Sequence, residues 1–218
     1  MRIKAVEPVS TLDWPGEVCS VFFSAGCNFK CPWCFNKELV PMSDSGMTIN
    51  EAIDMVPKHI DHIILTGGEV FHSPAVSSAV HLLKRKGYKV GVHTNGSYPQ
   101  SLDSVIYSLD YVAMDIKGTL DKYPERTGVR CVNTDLIMDS IVSITERGFS
   151  HEFRTTAVPG VTESEIRSIA GLLSFLGARK YYLQVYKPVK GGGEGAVLTR
   201  EDLAVIAKSL PLETQVRG

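Results

Sequence analysis

The sequence predicts an α/β fold in a single domain spanning 1–218, and three observations predict it. Short β-branched and aromatic runs alternate with longer stretches of helical spacing. The runs are apolar almost throughout, and each delivers glycine or polar residues at the same end. A chain of 218 residues can bury one sizeable core. It carries no internal repeat, low-complexity tract or linker that calls for a second.

The strand-like runs are VCSVFF (18–23), HIILT (62–66), KVGVHT (89–94), YVAMDI (111–116), HEFRTTAV (151–158) and YYLQVY (181–186). Their continuous apolarity suits strands buried on both faces of a parallel sheet. Between them, residues 75–86 put Val76, Val80 and Leu83 on one face and stop at Gly87. Residues 133–147 open on Asn133 as an N-cap and carry Leu136, Ile137, Ile141 and Ile144 before Gly148. Residues 163–176 follow Thr162, with Glu165 at capping-box spacing. The core is expected over roughly 17–190, with a C-terminal loop and helix over 191–218.

Six β–α units imply right-handed crossovers. A six-unit open barrel and a doubly wound sheet both fit, and in either one ligands sit beyond the carboxyl ends of the strands. At those ends stand a cysteine loop, TGGE (66–69), HTNG (93–96), DIKG (115–118), RTT (154–156) and QVYKP (184–188).

Composition narrows the function classes. A net charge of −1 gives no electrostatic case for nucleic acid or an anionic membrane as partner. The longest apolar runs are too short to span a bilayer. The opening MRIKAVEPVS lacks the basic-then-apolar layout of a signal peptide. A cytoplasmic, reducing location is expected, where thiols stay reduced or bind metal, and five cysteines, an odd number, argue against a disulfide framework.

Cys27, Cys31 and Cys34 lie within eight positions, in GCNFKCPWCFN (26–36). CPWC alone matches the dithiol of glutaredoxin-like proteins, but that reading leaves Cys27 unexplained. Structural zinc needs four closed ligands, and only Cys131 and scattered histidines are available for the fourth. A packing role has little to pack against in a loop holding Gly26, Asn28 and Pro32. An iron–sulfur cube has four irons, so three cysteines hold three and leave the fourth open to a ligand.

The Cys-x3-Cys-x2-Cys spacing after the first strand, with Trp33 before the last cysteine, resembles the radical S-adenosylmethionine superfamily. STLDWPGEVCSVFFSAGCNFKCPWCFN (10–36), followed in order by TGGE, TNG, DIK and VPG, resembles the glycyl-radical-enzyme activases over roughly residues 8–190. The resemblance implies a partial (β/α)6 TIM-like barrel with a [4Fe–4S] cluster on Cys27, Cys31 and Cys34. In that family the open iron binds S-adenosylmethionine, whose reductive cleavage yields a 5′-deoxyadenosyl radical that abstracts hydrogen from a partner's glycine. The cofactor carries the hard chemistry and the protein positions it. The partner implied first is anaerobic ribonucleotide reductase, with pyruvate formate-lyase as the related case and reduced flavodoxin or ferredoxin as electron donor. Two alternatives are a radical enzyme acting on a small molecule or another peptide, and a non-catalytic zinc-binding interaction module.

Other positions are weighed against plainer roles. The resemblance assigns Gly67, Gly68 and Glu69 to the methionine amino group; a strand-to-loop turn is the plain alternative. Thr94 and Asn95 are candidates for the ribose, or for a simple Asn-Gly turn. Asp115 and Lys117, two apart, point the same way from a strand, toward S-adenosylmethionine or substrate backbone, or form a paired-charge rim. Arg154 is assigned to the methionine carboxylate, against a salt bridge to Asp115 or Glu152. Tyr186 and Lys187 line the site or are solvated loop residues. The family's monovalent-cation site has His93 where an aspartate is usual, leaving Asp115, and Val70 stands where proline usually follows GGE. KGGGEG (190–195) reads as a lid or partner-contact loop; Cys19, Cys131 and the other histidines receive no ligand role.

Overall fold

A computed structural model describes residues 1–148, 150–193 and 195–218. Glu194 of the KGGGEG stretch therefore lies outside the described residues. Among the described residues eight strands form one sheet in chain order: β1 (Ile3–Ser10), β2 (Cys19–Ser24), β3 (His62–Gly67), β4 (Lys89–Thr94), β5 (Tyr111–Asp115), β6 (Ser150–Thr156), β7 (Lys180–Gln184) and β8 (Glu213–Arg217). The helices are α1 (Ile49–Ile53), α2 (Val76–Arg85), α3 (Pro99–Asp103), α4 (Tyr123–Thr127), α5 (Thr134–Glu146), α6 (Glu163–Phe175) and α7 (Arg200–Ala207).

The six expected strands are β2 to β7, and α2, α5 and α6 start and stop within a residue or two of expectation. β1 and β8 extend the sheet beyond the six. β1 carries apolar residues on both sides, Val6 beside Lys4 and Ala5 and Val9 beside Glu7, so no clean alternation marks it. Asn133 accepts the Asp135 N–H at 3.1 Å, as its N-cap position requires. Thr162 accepts the Glu165 N–H at 3.2 Å, but the reciprocal half of the expected capping box is absent. The Glu165 carboxylate binds the buried Arg126 guanidinium at 2.9 Å instead, since a charge-assisted bond outcompetes a neutral N–H.

The chain divides into two compact units. The first comprises Met1–Asn28, Asn36–Thr94 and Tyr98–Ala113. Here β1 is antiparallel to β2, while β2, β3 and β4 are parallel. Its core gathers Trp14, Cys19, Val21, Ile64, Tyr111 and Ala113. Trp14 stacks on Tyr111 at 5.1 Å and meets His62 edge-on at 4.7 Å. α2 buries Val76, Ala79, Val80 and Leu83, each large apolar side chain contributing roughly 1.5–3 kcal/mol.

The second unit comprises Phe29–Phe35, Asn95–Ser97 and Met114–Gly218. β6, β7 and β8 are parallel in it, with Phe153, Tyr181, Leu183 and the Ile166, Ile169 and Leu173 face of α6 buried. The C-terminal stretch holds the expected helix, α7, and then β8. Hydrophobicity does not announce β8 because its anchor is polar. Arg217 forks onto Glu152 at 2.7 and 2.9 Å and lies 3.5 Å over the Tyr182 ring.

Candidate functional site

In the first unit the chain leaving β2 is fastened by main-chain bonds before it reaches Cys27. Gly26 N–H donates to Leu39 O at 2.8 Å and Cys27 N–H to Val40 O at 3.0 Å. From the end of β3, Gly68 N–H donates to Ser24 O at 2.9 Å and Glu69 N–H to Gly26 O at 2.8 Å. A Cβ on Gly68 would lie 2.1 Å from Gly26 O. Backbone must therefore meet backbone here, and only glycine permits it. The GGE segment thus has a structural reason for its glycines whatever ligand it meets.

Glu69 is buried, and its Oε1 accepts from Phe71 N–H at 3.1 Å and from the Thr94 hydroxyl at 2.7 Å. Glu69 and Thr94, expected on different parts of a ligand, are bonded to each other. Val70 opens a single 3-10 turn, Val70–His72, which Glu69 caps. Proline is well tolerated at such a first position, so the departure from proline leaves the turn in place. His93 bonds Asp13 O through Nε2 at 3.0 Å.

Two residues not singled out in the sequence stand beside these groups. The Tyr98 hydroxyl bonds His72 Nδ1 at 2.6 Å. Its phenol is pushed up by burial, and further by Glu69 and Cys27. Nothing in their spacing marks them, since the pair forms across 26 residues. Cys19 is a core thiol pushed up to about 12, by burial and then by Asp13, despite a main-chain bond from Trp14. That suits its exclusion from the candidate ligands.

In the second unit, Cys31 and Cys34 ride on a loop whose Cys34 N–H donates to Cys31 O at 3.1 Å. Lys30 N–H donates to Thr127 O at 2.8 Å, and Trp33 Nε1–H to Arg126 O at 3.1 Å. Lys117 Nζ lies 4.9 Å from the centre of the Trp33 ring. Burial raises the Cys31 thiol; Lys117 opposes that, and Cys34 adds to it.

Asp115 is the hub of the polar residues beyond β5. It accepts from Arg154 Nε at 2.8 Å and from Lys117 Nζ at 3.0 Å. Burial alone would raise its pKa, but the Arg154 and Lys117 charges prevail and hold it well below the usual carboxylate range. Lys117 is the mirror case: burial lowers it, and Asp115 and then Cys31 raise it above its ordinary value. Of the three partners weighed for Arg154, the structure pairs it with Asp115, while Glu152 is taken by Arg217. Both oxygens of Asp115, the carboxylate left to a monovalent cation, carry side-chain cations. Asn95 Oδ1 accepts from Ser97 N–H at 3.0 Å and the Ser97 hydroxyl at 2.6 Å, closing an Asx turn. Tyr186 is buried, and its phenol oxygen accepts from Val189 N–H at 3.3 Å; Lys187 is exposed.

The donor set fits an iron–sulfur cluster. Cys27, Cys31 and Cys34 are all partly exposed, and none is in a disulfide. Among the described residues no group of three or more His, Cys, Asp or Glu side chains converges as a metal site. Among the same residues, no helix is long and apolar enough to cross a membrane.

Comparison with known proteins gives the family. A family model described as "Radical SAM superfamily" matches residues 21–173. A protein of Methanocaldococcus jannaschii named "Putative glycyl-radical enzyme activating enzyme" is 33% identical over 171 residues, covering 75% of this chain and 71% of that protein. Among solved structures, Streptococcus suis SuiB bound to S-adenosylmethionine superposes with a TM-score of 0.68 at 15% identity, covering 91% of this chain. This chain spans only about half of SuiB, 49% of its length. A domain of pyruvate-formate lyase-activating enzyme from Bacteroides vulgatus gives a TM-score of 0.57 at 20% identity, covering 71% of this chain and 98% of that one. At these identities the structural likenesses speak to the fold, and they agree with an open, partial barrel.

Proposed function

Because this chain belongs to the radical SAM superfamily, and is therefore an enzyme that uses S-adenosylmethionine with a [4Fe–4S] cluster, we propose that it is an activase that generates a glycyl radical on a partner protein. Family membership removes the non-catalytic zinc module. The observation that carries the finer reading is the 33% identity, sustained over 171 residues, to the Methanocaldococcus jannaschii protein named "Putative glycyl-radical enzyme activating enzyme".

In this reading Cys27, Cys31 and Cys34 hold three irons. A cluster bound there would supply the one-electron chemistry on S-adenosylmethionine that hydrogen-atom removal from a partner's glycine requires. The chain's own residues bind and orient. Main-chain groups of Gly67 and Gly68 receive the methionine ammonium, and Glu69, oriented by Thr94, adds a carboxylate. Arg154 and Lys117, already gathered by Asp115, present cationic edges to the methionine carboxylate. Asn95 and Tyr186 border the nucleoside, and Trp33 shields the cysteine loop. The partner proposed first is anaerobic ribonucleotide reductase, the electron donor a reduced flavodoxin or ferredoxin, and the location cytoplasmic.

The test is anaerobic incubation of the reconstituted enzyme with S-adenosylmethionine, a reductant and a candidate glycyl-radical enzyme. A glycine-centred electron paramagnetic resonance doublet on the partner supports the activase. Deoxyadenosine release that no glycyl enzyme stimulates, and that a small molecule does, would reassign the chain to small-molecule chemistry.

A further inference from the structure

We infer that Arg126 is the positioning residue of the cysteine loop, acting through the C-terminal carbonyls of α4. The inference rests on the reading that Cys31 and Cys34 bind the cluster. It goes beyond it by naming what holds their loop in place.

Five-residue helices have almost no stability of their own, and the last carbonyls of any helix lack partners inside it. In α4 two such carbonyls are spent on the cysteine loop. Arg126 O accepts Trp33 Nε1–H at 3.1 Å, and Thr127 O accepts Lys30 N–H at 2.8 Å. These grips fall immediately before Cys31 and between Cys31 and Cys34. Gly128, at φ +67°, completes the approach: a Cβ there would stand 2.5 Å from Lys30 O.

The side chain of Arg126 then fixes α4 to the rest of the unit. Its guanidinium is buried and donates to Glu165 at 2.9 and 3.5 Å, to Gly160 O at 3.1 Å and to Pro159 O at 3.4 Å. Glu125 adds a contact at 3.1 Å. One residue thus reaches the VPG turn and the first turn of α6 with its side chain and the cysteine loop with its main chain. That explains why Glu165 gives up its half of the capping box.

The experiment uses the full chain without iron, so it does not depend on activity. Arg126→Met combined with Glu165→Leu replaces the buried pair by apolar groups of similar size, an exchange folds often tolerate. Gly128→Ala perturbs the same grip from the other side and leaves the ion pair intact. Lys30 amide exchange is read by hydrogen–deuterium exchange. The two tryptophans are read by fluorine resonance after 5-fluorotryptophan incorporation, with Trp14 as the internal control. The expected result in both variants is at least tenfold faster exchange at Lys30 and a shifted Trp33 signal. Trp14 and the amides of Phe153 and Tyr181 stay as in the parent. In a separate arm with iron and sulfide added, both variants retain less than half of the parent's iron, and full retention would overturn the inference. Unchanged Lys30 exchange and Trp33 signal would overturn the inference. So would an equal loss of protection at Lys30, Phe153 and Tyr181, which would make Arg126 a general support of the fold. If the loop loosens as expected but no deoxyadenosine forms even in the parent protein, the positioning role stands and the radical reading fails.

Discussion

Arg154 donates Nε–H to Asp115 Oδ1 at 2.8 Å, across 39 residues of sequence. The strand-end arginine is thus held by a carboxylate of the protein, and that carboxylate also holds Lys117 at 3.0 Å. A single negative charge organises two positive ones. An incoming carboxylate would therefore meet cations already oriented, which lowers the cost of arranging them on binding.

Asp115→Asn keeps the shape and removes the charge. Both charge-assisted bonds weaken, and the iron-free protein is predicted to lose about 1–3 kcal/mol, measured by urea unfolding. Weakened retention of S-adenosylmethionine should accompany it, because Arg154 and Lys117 lose their common anchor. Unchanged stability would mean that solvent compensates the pair fully.

The same carboxylate predicts a pH dependence. Its folded pKa is depressed, so its contribution is fully present above the unfolded value near ~3.9 and is lost as pH falls through the folded value. The stability gap between parent and Asp115→Asn should be flat from about pH 5 to 8 and should shrink below about pH 4. A gap that widens on acidification would give the sign the other way.

Gly68→Ala places a methyl carbon 2.1 Å from Gly26 O, backbone against backbone, with no flexible side chain to yield. The predicted cost is at least about 2 kcal/mol, read from thermal or urea unfolding. Reconstituted iron should fall as well, because the displaced strand end carries Cys27. A variant as stable as the parent would show that the two strand ends separate easily.

Thr94→Val removes the hydroxyl that donates to Glu69 at 2.7 Å and leaves a buried carboxylate one bond short. A loss of about 1.5–3 kcal/mol is predicted, along with weaker S-adenosylmethionine binding by calorimetry. Thr94→Ser, which keeps the hydroxyl, should recover most of both.

Much of this was readable in the chain, for identifiable reasons. β3 and β4 are buried on both faces, so their apolar runs match observed bounds closely. The three cysteines stood out because their spacing is short and local. What stayed hidden is held by polar long-range partners. β8 docks through Arg217 on Glu152, 65 residues apart. Tyr98 and His72 pair only in the fold. The main-chain role of Arg126 leaves no mark at all on residue type. The site polar groups were legible as types at strand ends. Their pairing, Glu69 with Thr94 and Asp115 with Arg154, was settled by neighbouring strands rather than by sequence distance.

The most direct measurement is 5′-deoxyadenosine released from S-adenosylmethionine under reducing, oxygen-free conditions. Parent protein, Cys31→Ala and Cys131→Ala would be compared after identical iron and sulfide reconstitution. Product is expected from the parent and from Cys131→Ala, and none above background from Cys31→Ala. Product formed by Cys31→Ala at the parent rate, or none from a parent carrying about four irons per chain, would contradict it.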